Sequence, residues 1–534
     1  MRAPVSRLSR GDGLLAAGLF ALLLGTACQR QAAPSLLEAK GGGGRFRVLL
    51  PAEPQDLDPN STRDESSLVV APNLYSRLAM LDEDARLHPD LAESWDVAPG
   101  GLAYTFHLRQ GVRWHDGRPF QAADVRWTLE YLKQHPSLAA EALRRIAAVE
   151  TPDEHTVVFR LREPWAPLLP TLAGNGFFIL PRPGRGSRLQ AGGHEVPVGT
   201  GPFRLLEWVP GRRIVLAANR SFFRPGPFLD EVVYTYEADA SRGPGLLTVN
   251  QADYVVLRPS LGLLPGLARD PRLRVLTSPS DGRYYLAFNL RRRPFEDLRV
   301  RQAINQALDR PALMARALYG YGAPGYGFFT PAVAWAYDAA ARAPELDPAR
   351  ARLLLDAAGL GAGRTGVRFA PTLLCPDVTP FPEIARVVAD QLRAVGIGVR
   401  LETLSGKRLI ERAIGQRDFD IVLIGGGQGP DPGSLSLRFG SRSPSQPMGY
   451  ASPELDAALA EGGREVDLGR RARAYFRAQE ILARDLPIAP LGEAVHVTVC
   501  RRGVTGLPRA EGRGLVPEYE YSLVRVKAAS GGVR

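Results

Sequence analysis

The sequence predicts a mixed α/β protein of two lobes, with a hinge and a cleft between them. Three observations carry that expectation. From Arg45 to about Leu290 the apolar residues mostly alternate, which is the period of half-buried strands. From about Asp297 helical periods alternate with short apolar runs across glycines, the pattern of an α/β lobe. Strand-like residues then return at Val495–Val499 and Tyr521–Val526, so the tail is placed to rejoin the first half. A chain that leaves one half and comes back joins the two by crossing strands.

The elements follow in order. Residues 1–27 read as an export signal: Arg2, Arg7 and Arg10 precede an uncharged run, Leu14–Leu24. That run is too short to span a bilayer core, which takes about 20 residues as a helix. Gly25-Thr26-Ala27 supplies the small side chains a signal peptidase needs, and Cys28 follows as the candidate lipidation site. Leu24 stands four residues before the cysteine, where a lipobox prefers leucine at three; a plain secretory signal is the alternative. Residues 28–44, ending in Gly41–Gly44, read as a flexible tether. Cys375 and Cys500 are far apart in sequence. Export permits a disulfide, and two separate buried thiols are the simpler reading.

Arg45–Leu50, Tyr104–Leu108 and Val157–Leu161 alternate as strands, and Asp124–Leu132 has a helical stripe of Val125, Leu129 and Leu132. In the second half, Val300, Ile304 and Leu308 share a helix face after Asp297. Asp347-Pro348 opens another helix, since aspartate caps and proline suits the first turn, and Gly359 stops it. A third helix starts near Pro382 and ends at Gly396, with Ile397–Leu401 as the following strand. Phe419–Ile424 is a strand ending at a glycine run, and Arg471–Arg484 is the last helix, before the apolar Leu486–Leu491.

The 534 residues carry a formal net charge of +11, with 45% hydrophobic and 23% charged residues. These are the proportions of a soluble globular chain of about three domains. Of the Lys and Arg, only Lys40, Lys133, Lys407 and Lys527 are lysines. The arginines are scattered among acids and form no phosphate track, so nucleic acid is not an expected partner. No G-x-S-x-G or G-x-x-x-x-G-K-[ST] occurs, and no H-E-x-x-H or C-x-x-C. Gly320-Tyr-Gly-Ala-Pro-Gly325 follows a helix and reads as a turn. A turn would let His107 and His115 approach one another, yet His115-Asp116-Gly117 reads first as turn chemistry. Asp56 and Asp58 have no histidine beside them. No enzyme, metal site or cofactor is expected.

The motifs together are specific. Glu53-Pro-Gln-Asp-Leu-Asp-Pro59, Asn73-Leu-Tyr-Ser-Arg-Leu78, Pro89-Asp-Leu-Ala-Glu-Ser-Trp95 and Tyr104–Arg109 come in order. Gly111-Val-Arg-Trp-His-Asp-Gly117, Phe120–Val125 and Pro197-Val-Gly-Thr-Gly-Pro-Phe203 with Glu207-Trp208 follow. Asn289, Pro294-Phe295, Val300–Ala303, Ala307–Arg310, Gly396-Ile397, Gly449-Tyr450 and Asp456 complete the series. In this order the chain resembles the family 5 extracellular solute-binding proteins of ABC transporters, the peptide/nickel-type group, over nearly all of its mature length.

The resemblance implies a two-lobed flytrap. Lobe I would comprise residues 45–76, 196–279 and the returning tail, 495–534, with an inserted subdomain at 77–195. Lobe II would be 280–494. The implied function is capture of a peptide or other small solute between the lobes, and delivery to ABC permease and ATPase subunits. The protein would be a monomeric lipoprotein of the periplasm or cell envelope, on the membrane through its lipid anchor. A sugar, an opine-like conjugate or a metal chelate is the alternative cargo. A sensor or chaperone role on the same fold is a further alternative, and an exported hydrolase is the least favoured.

Ligand contacts transfer by position. The E-x-Q segment gives Glu53, Pro54 and Gln55. The strand entering lobe II gives Gly282, Arg283 and Tyr285. A third loop gives Gly426, Gly427, Gln428 and Asp431. Here the chain departs from the pattern that the resemblance implies. The family's tryptophan position is Gly425, and the position of the aspartate that holds a ligand's α-amino group is Gln428. A neutral amide holds an ammonium less well than a carboxylate does. The expectation is therefore that a free amine is not the main recognition element, unless Asp431 takes that part.

Overall fold

A computed structural model describes residues 43–527 apart from 62–63, 83–84, 136–139, 184–189, 192–193, 240, 257–260 and 509–518. The expected signal, the tether up to residue 42 and Cys28 lie outside the described residues. Among the described residues no helix is long and apolar enough to cross a membrane.

One eleven-stranded sheet runs through both halves. Its first side carries Phe203–Val209, Arg213–Ala218, Glu231–Tyr236, Arg45–Leu50 and Tyr254–Val255 in that spatial order. Its far side carries Ile421–Gly427, Thr372–Pro376 and Arg400–Leu404. Two long antiparallel strands, Leu273–Phe288 and Ile488–Arg501, lie between and join them. Each is far longer than the five or six residues usual for a strand. Their ladder slips twice, between Pro279 and Arg283 and between Tyr284 and Tyr285. The first slip leaves Ser280, Asp281 and Gly282 opposite Ala494 alone, so the ribbon bends where it passes from one half to the other.

A separate four-stranded antiparallel sheet contains Ala92–Val97, Ala103–Leu108, Thr156–Leu161 and Ile146–Glu150. Helix Ala122–Gln134 buries Val125, Leu129 and Leu132 in the same core as Phe106 and Phe159.

The helices of the second half begin where their caps allow. The side chain of Asp347 accepts from the Arg350 N–H at 2.8 Å, and Asp297 caps the helix Leu298–Gln306 in the same way. Gly359, at φ +78°, takes the left-handed turn after Pro348–Ala357. Helix Phe381–Arg393 packs Ile384, Val388 and Leu392 on the sheet with Leu373 and Ile421.

Four expectations shift. The strand read at Ile397–Leu401 begins at Arg400, because Ile397 is fully buried beneath helix Phe381–Arg393 and only bridges to Phe369. The strand read as ending at Ile424 continues through the glycines to Gly427, held by pairing with Leu273–Phe288. The apolar Leu486–Leu491 and Val495–Val499 are parts of one crossing strand. Of Tyr521–Val526, only Arg525–Val526 pairs as strand, with Val504–Thr505. Cys375 and Cys500 are both buried, in different cores at opposite sides of the sheet, and so do not pair with each other.

Candidate functional site

The seam between the halves brings together most of the second-half residues singled out by sequence. Gly282, Arg283 and Tyr285 lie on Leu273–Phe288, and pair with Gly427, Gly426 and Ile424. Gly426 and Gly427 are exposed at this strand end, and Gly426 has φ +131°, a conformation open to glycine and strained for other residues. The next residue, Gln428, is buried at 3% exposure, and its amide oxygen has no hydrogen-bond partner among the described residues. A buried orphan acceptor costs about 1–3 kcal/mol unless something donates to it.

Gly425 is small for a reason visible in its surroundings. A Cβ there would stand 2.8 Å from the Phe381 ring and 3.0 Å from the Tyr284 ring. Those two rings meet edge to face at 5.8 Å between centroids and occupy the space a large side chain would need.

Arg283 is engaged by the fold. It is 2% exposed, its Nε donates to both carboxylate oxygens of Glu493 at 2.9 Å, and its Nη2 donates to the Gly327 carbonyl at 2.7 Å. Burial pushes the Glu493 carboxyl above its usual range, and Arg283 pulls it back only in part. The pair stands just beyond the first ladder slip and ties the two crossing strands together there. Ala323–Pro324, inside the glycine motif that read as a turn, pairs with Gly492 and Glu493 on the same strand.

Asp431 is also engaged. Its Oδ1 accepts from the Gly433 N–H at 2.8 Å and from Arg471 at 2.7 Å. Arg471 additionally donates to the Gly462 carbonyl at 2.8 Å and stacks over Trp335 and Tyr475. Burial works against the Arg471 charge, yet Asp431 and Tyr475 outweigh it and hold its pKa above the ordinary value. The sequence-based substitute for an ammonium partner is thus already neutralised by a buried guanidinium.

A carboxylate that sequence reading passed over stands at the same loop. Asp281 Oδ2 accepts from the Gly429 N–H at 2.7 Å, and its carbonyl accepts from the Gln428 N–H at 3.0 Å. Ser280-Asp281-Gly282 belongs to no motif that marks the carboxylate. Arg438, on the short helix Leu435–Phe439, was missed as well. It donates to the Gly427 carbonyl and reaches the Tyr285 hydroxyl at 3.5 Å. Glu493 had a legible signal: it is the lone acid within an apolar stretch, and such a residue needs a partner.

Glu53, Pro54 and Gln55 are held in the first half. Glu53 accepts from the Trp208 indole N–H and the Gly211 N–H, each at 2.9 Å. Pro54 is buried and Gln55 is exposed. The histidines raised by sequence do not meet: His107 contacts Asp96 at 2.9 Å. His115 accepts from the Gly199 N–H at 3.2 Å, and its other ring nitrogen donates to the Gly201 carbonyl at 3.1 Å. Burial lowers the His115 pKa to about 4, so the ring is neutral and braces the Pro197–Phe203 turn. Among the described residues no group of three His, Cys, Asp or Glu is arranged to hold a metal ion.

The halves touch at a second place, far from the crossing strands in sequence. The Ala166 N–H donates to the Gly463 carbonyl at 2.9 Å, and a Cβ on Gly433 would reach Pro167 at 3.1 Å.

Comparisons with known proteins agree with this architecture. The chain is 29% identical to the Di/tripeptide-binding protein 1 of Pseudomonas aeruginosa over 491 residues, covering 85% of this chain and 89% of that one. It is 28% identical to the glutathione-binding protein GsiB of Escherichia coli over 472 residues, covering 84% and 89%. The structure of the ABC transporter-associated periplasmic binding protein DppA from Helicobacter pylori, in complex with the peptide STSA, superposes with a TM-score of 0.71 at 26% identity. That match covers 91% of this chain and 99% of the other. The family model described as bacterial extracellular solute-binding proteins, family 5 Middle, matches residues 86–446. A solute-binding fold of two lobes, a ribbon that bends between them and a match across most of the chain lead to one statement: the chain belongs to the bacterial extracellular solute-binding proteins of family 5.

Proposed function

We propose that this protein captures peptides between its lobes outside the cytoplasmic membrane, and delivers them to the permease and ATPase subunits of an ABC importer. The observation that carries the reading is the bent two-strand ribbon, with the open glycine backbone of Ile421–Gly427 lying beside the bend. Exposed strand-end N–H and C=O groups bind an extended peptide backbone without regard to its side chains. The named relatives bind di- and tripeptides or glutathione, and the similar DppA structure holds a peptide.

The finer parts of the reading belong with it. Lobe I is 45–76, 196–279 and 495–534, the inserted subdomain is 77–195, and lobe II is 280–494. The separate four-stranded sheet within 77–195 and the crossing strands at both lobe boundaries support this division. The protein acts as a monomer and makes or breaks no bond. It works in the periplasm or cell envelope, held to the membrane by a lipid on Cys28. The Glu53–Gln55 segment, Gly282, Tyr285 and Gly426–Gln428 line the ligand site, while Arg283 and Asp431 shape it through their buried partners.

Native mass spectrometry on the mature chain without Cys28 tests the function. A co-purifying ladder of peptide masses, reproduced on adding a peptide pool and accompanied by a rise in Tm, is the expected result. A ligand at 100 times its Kd stabilises the fold by about 2.7 kcal/mol. A single non-peptide mass, with no Tm response to peptides, refutes the reading.

A further inference from the structure

The seam carries two opposite charges that the fold leaves uncompensated. Among the described residues no cation pairs with Asp281, and only one of its carboxylate oxygens is used, by the Gly429 N–H. Arg438 has no acidic partner among the described residues. It spends one donor on the Gly427 carbonyl and reaches one hydroxyl, that of Tyr285, leaving most of its five donors open. Other arginines here are better satisfied: Arg283 has Glu493, Arg471 has Asp431, and Arg310 donates to Pro490, Asn305 and further carbonyls. Asp281 and Arg438 do not pair with each other.

Their spacing is informative. The backbone groups they hold, Gly427 C=O and Gly429 N–H, flank the single residue Gln428, and Asp281 Oδ2 lies 3.0 Å from where a Cβ on Gly427 would stand. Gly426 and Gly427 put no side chain beside them and are exposed. Gln428, between the two anchored residues, contributes a buried amide oxygen to which no described residue donates. The array runs from a guanidinium, past open backbone, to two acceptors. A solute with a carboxylate at one end, an ammonium at the other and a short polar backbone between matches it in charge and order.

We propose that Arg438 and Asp281 are specificity-determining residues that anchor the carboxylate and the ammonium of a short zwitterionic peptide. This rests on the peptide-binding reading above, and it returns the free amine to recognition through a residue on the crossing strand.

The test compares three pools of di- and tripeptides by competition native mass spectrometry: free, N-acetylated and C-amidated. Wild type is expected to retain the free pool about tenfold or more better than either blocked pool, since a hydrogen bond to a charged group is lost in each. Asp281→Asn keeps an acceptor for Gly429, and Arg438→Gln keeps a donor for Gly427. Asp281→Asn is expected to retain free and acetylated pools alike while still rejecting amides. Arg438→Gln is expected to do the reverse, and Asp281→Glu to restore selection for the free amine. Variants that discriminate as wild type does overturn the anchors and leave peptide binding standing. Equal retention of free and blocked pools by wild type overturns them too, without any variant. Retention of no pool overturns both this inference and the peptide reading.

Discussion

Removing one partner of the Arg283–Glu493 pair should be expensive in a way that its neighbours cannot absorb. Both groups are almost without solvent, at 2% and 7% exposure, and among the described residues each is the other's only ion-pair partner. Breaking a buried pair by deleting one side costs about 3–5 kcal/mol, because the remaining charge stays buried. Glu493→Gln keeps one acceptor for the Arg283 Nε, so we expect about 3 kcal/mol. Arg283→Met strands the carboxylate and should cost a similar amount at pH 8. The pH dependence separates the two. Burial already raises the Glu493 carboxyl, and removing Arg283 raises it further. A raised folded-state pKa means that the folded state binds the proton first. Arg283→Met should therefore regain about 1.4 kcal/mol per pH unit as pH falls through the window between that raised pKa and the unfolded value of 4.5. Glu493→Gln has no such group and should regain nothing from this source. The double variant should cost about 2 kcal/mol, well below the sum of the singles, because neither buried charge remains. Equilibrium urea unfolding followed by tryptophan fluorescence, at pH 8 and pH 5.5, reads all four proteins. Single-variant costs under about 1 kcal/mol, additive singles, or an Arg283→Met deficit equal at both pH values would refute the argument.

Two further outcomes follow from other parts of the fold. His115 is held neutral with a pKa lowered to about 4 from 6.5, so the unfolded chain takes up a proton that the folded chain refuses. Stability is therefore complete above pH 6.5 and is lost as pH falls toward 4, by about 3 kcal/mol from this group. His115→Gln should unfold with a shallower acid slope across that window, and an unchanged slope sinks the assignment. At Gly425 the Cβ would press on the Phe381 and Tyr284 rings, so Gly425→Ala should cost about 1–3 kcal/mol by overpacking. Adding Phe381→Ala should relieve part of that strain. A Gly425→Trp protein as stable as wild type, with Phe381 retained, would contradict it.

Much of the frame was legible along the chain because its signals are local. The caps at Asp297 and Asp347, the stop at Gly359 and the alternation of Arg45–Leu50 and Thr156–Leu161 depend on neighbours within a few residues. The break in pattern near residue 290 reflects two kinds of lobe. The crossing strand Leu273–Phe288 was harder to read, since it mixes a polar bend, Ser280-Asp281-Gly282, with half-exposed and buried stretches, and so has no single period. The strand after Gly396 slipped because burial of Ile397 under a helix outweighs its alternating pattern. At the site, the glycine run and Gln428 were recognisable by position, whereas Asp281 and Arg438 lie about 150 residues apart and carried no mark of their meeting.

By itself the sequence determined the two-lobed class, the family and the loop in which recognition would differ, because order and spacing of local motifs survive without knowledge of contacts. Only the tertiary structure decided which charges are free to act. A carboxylate in a sequence has no stated environment; once folded, Asp431 is neutralised by Arg471, Glu493 by Arg283, and Asp281 is left facing the seam. Charge strength in a protein depends on burial and on the nearest opposite charge, and both are properties of chain segments brought together from far apart.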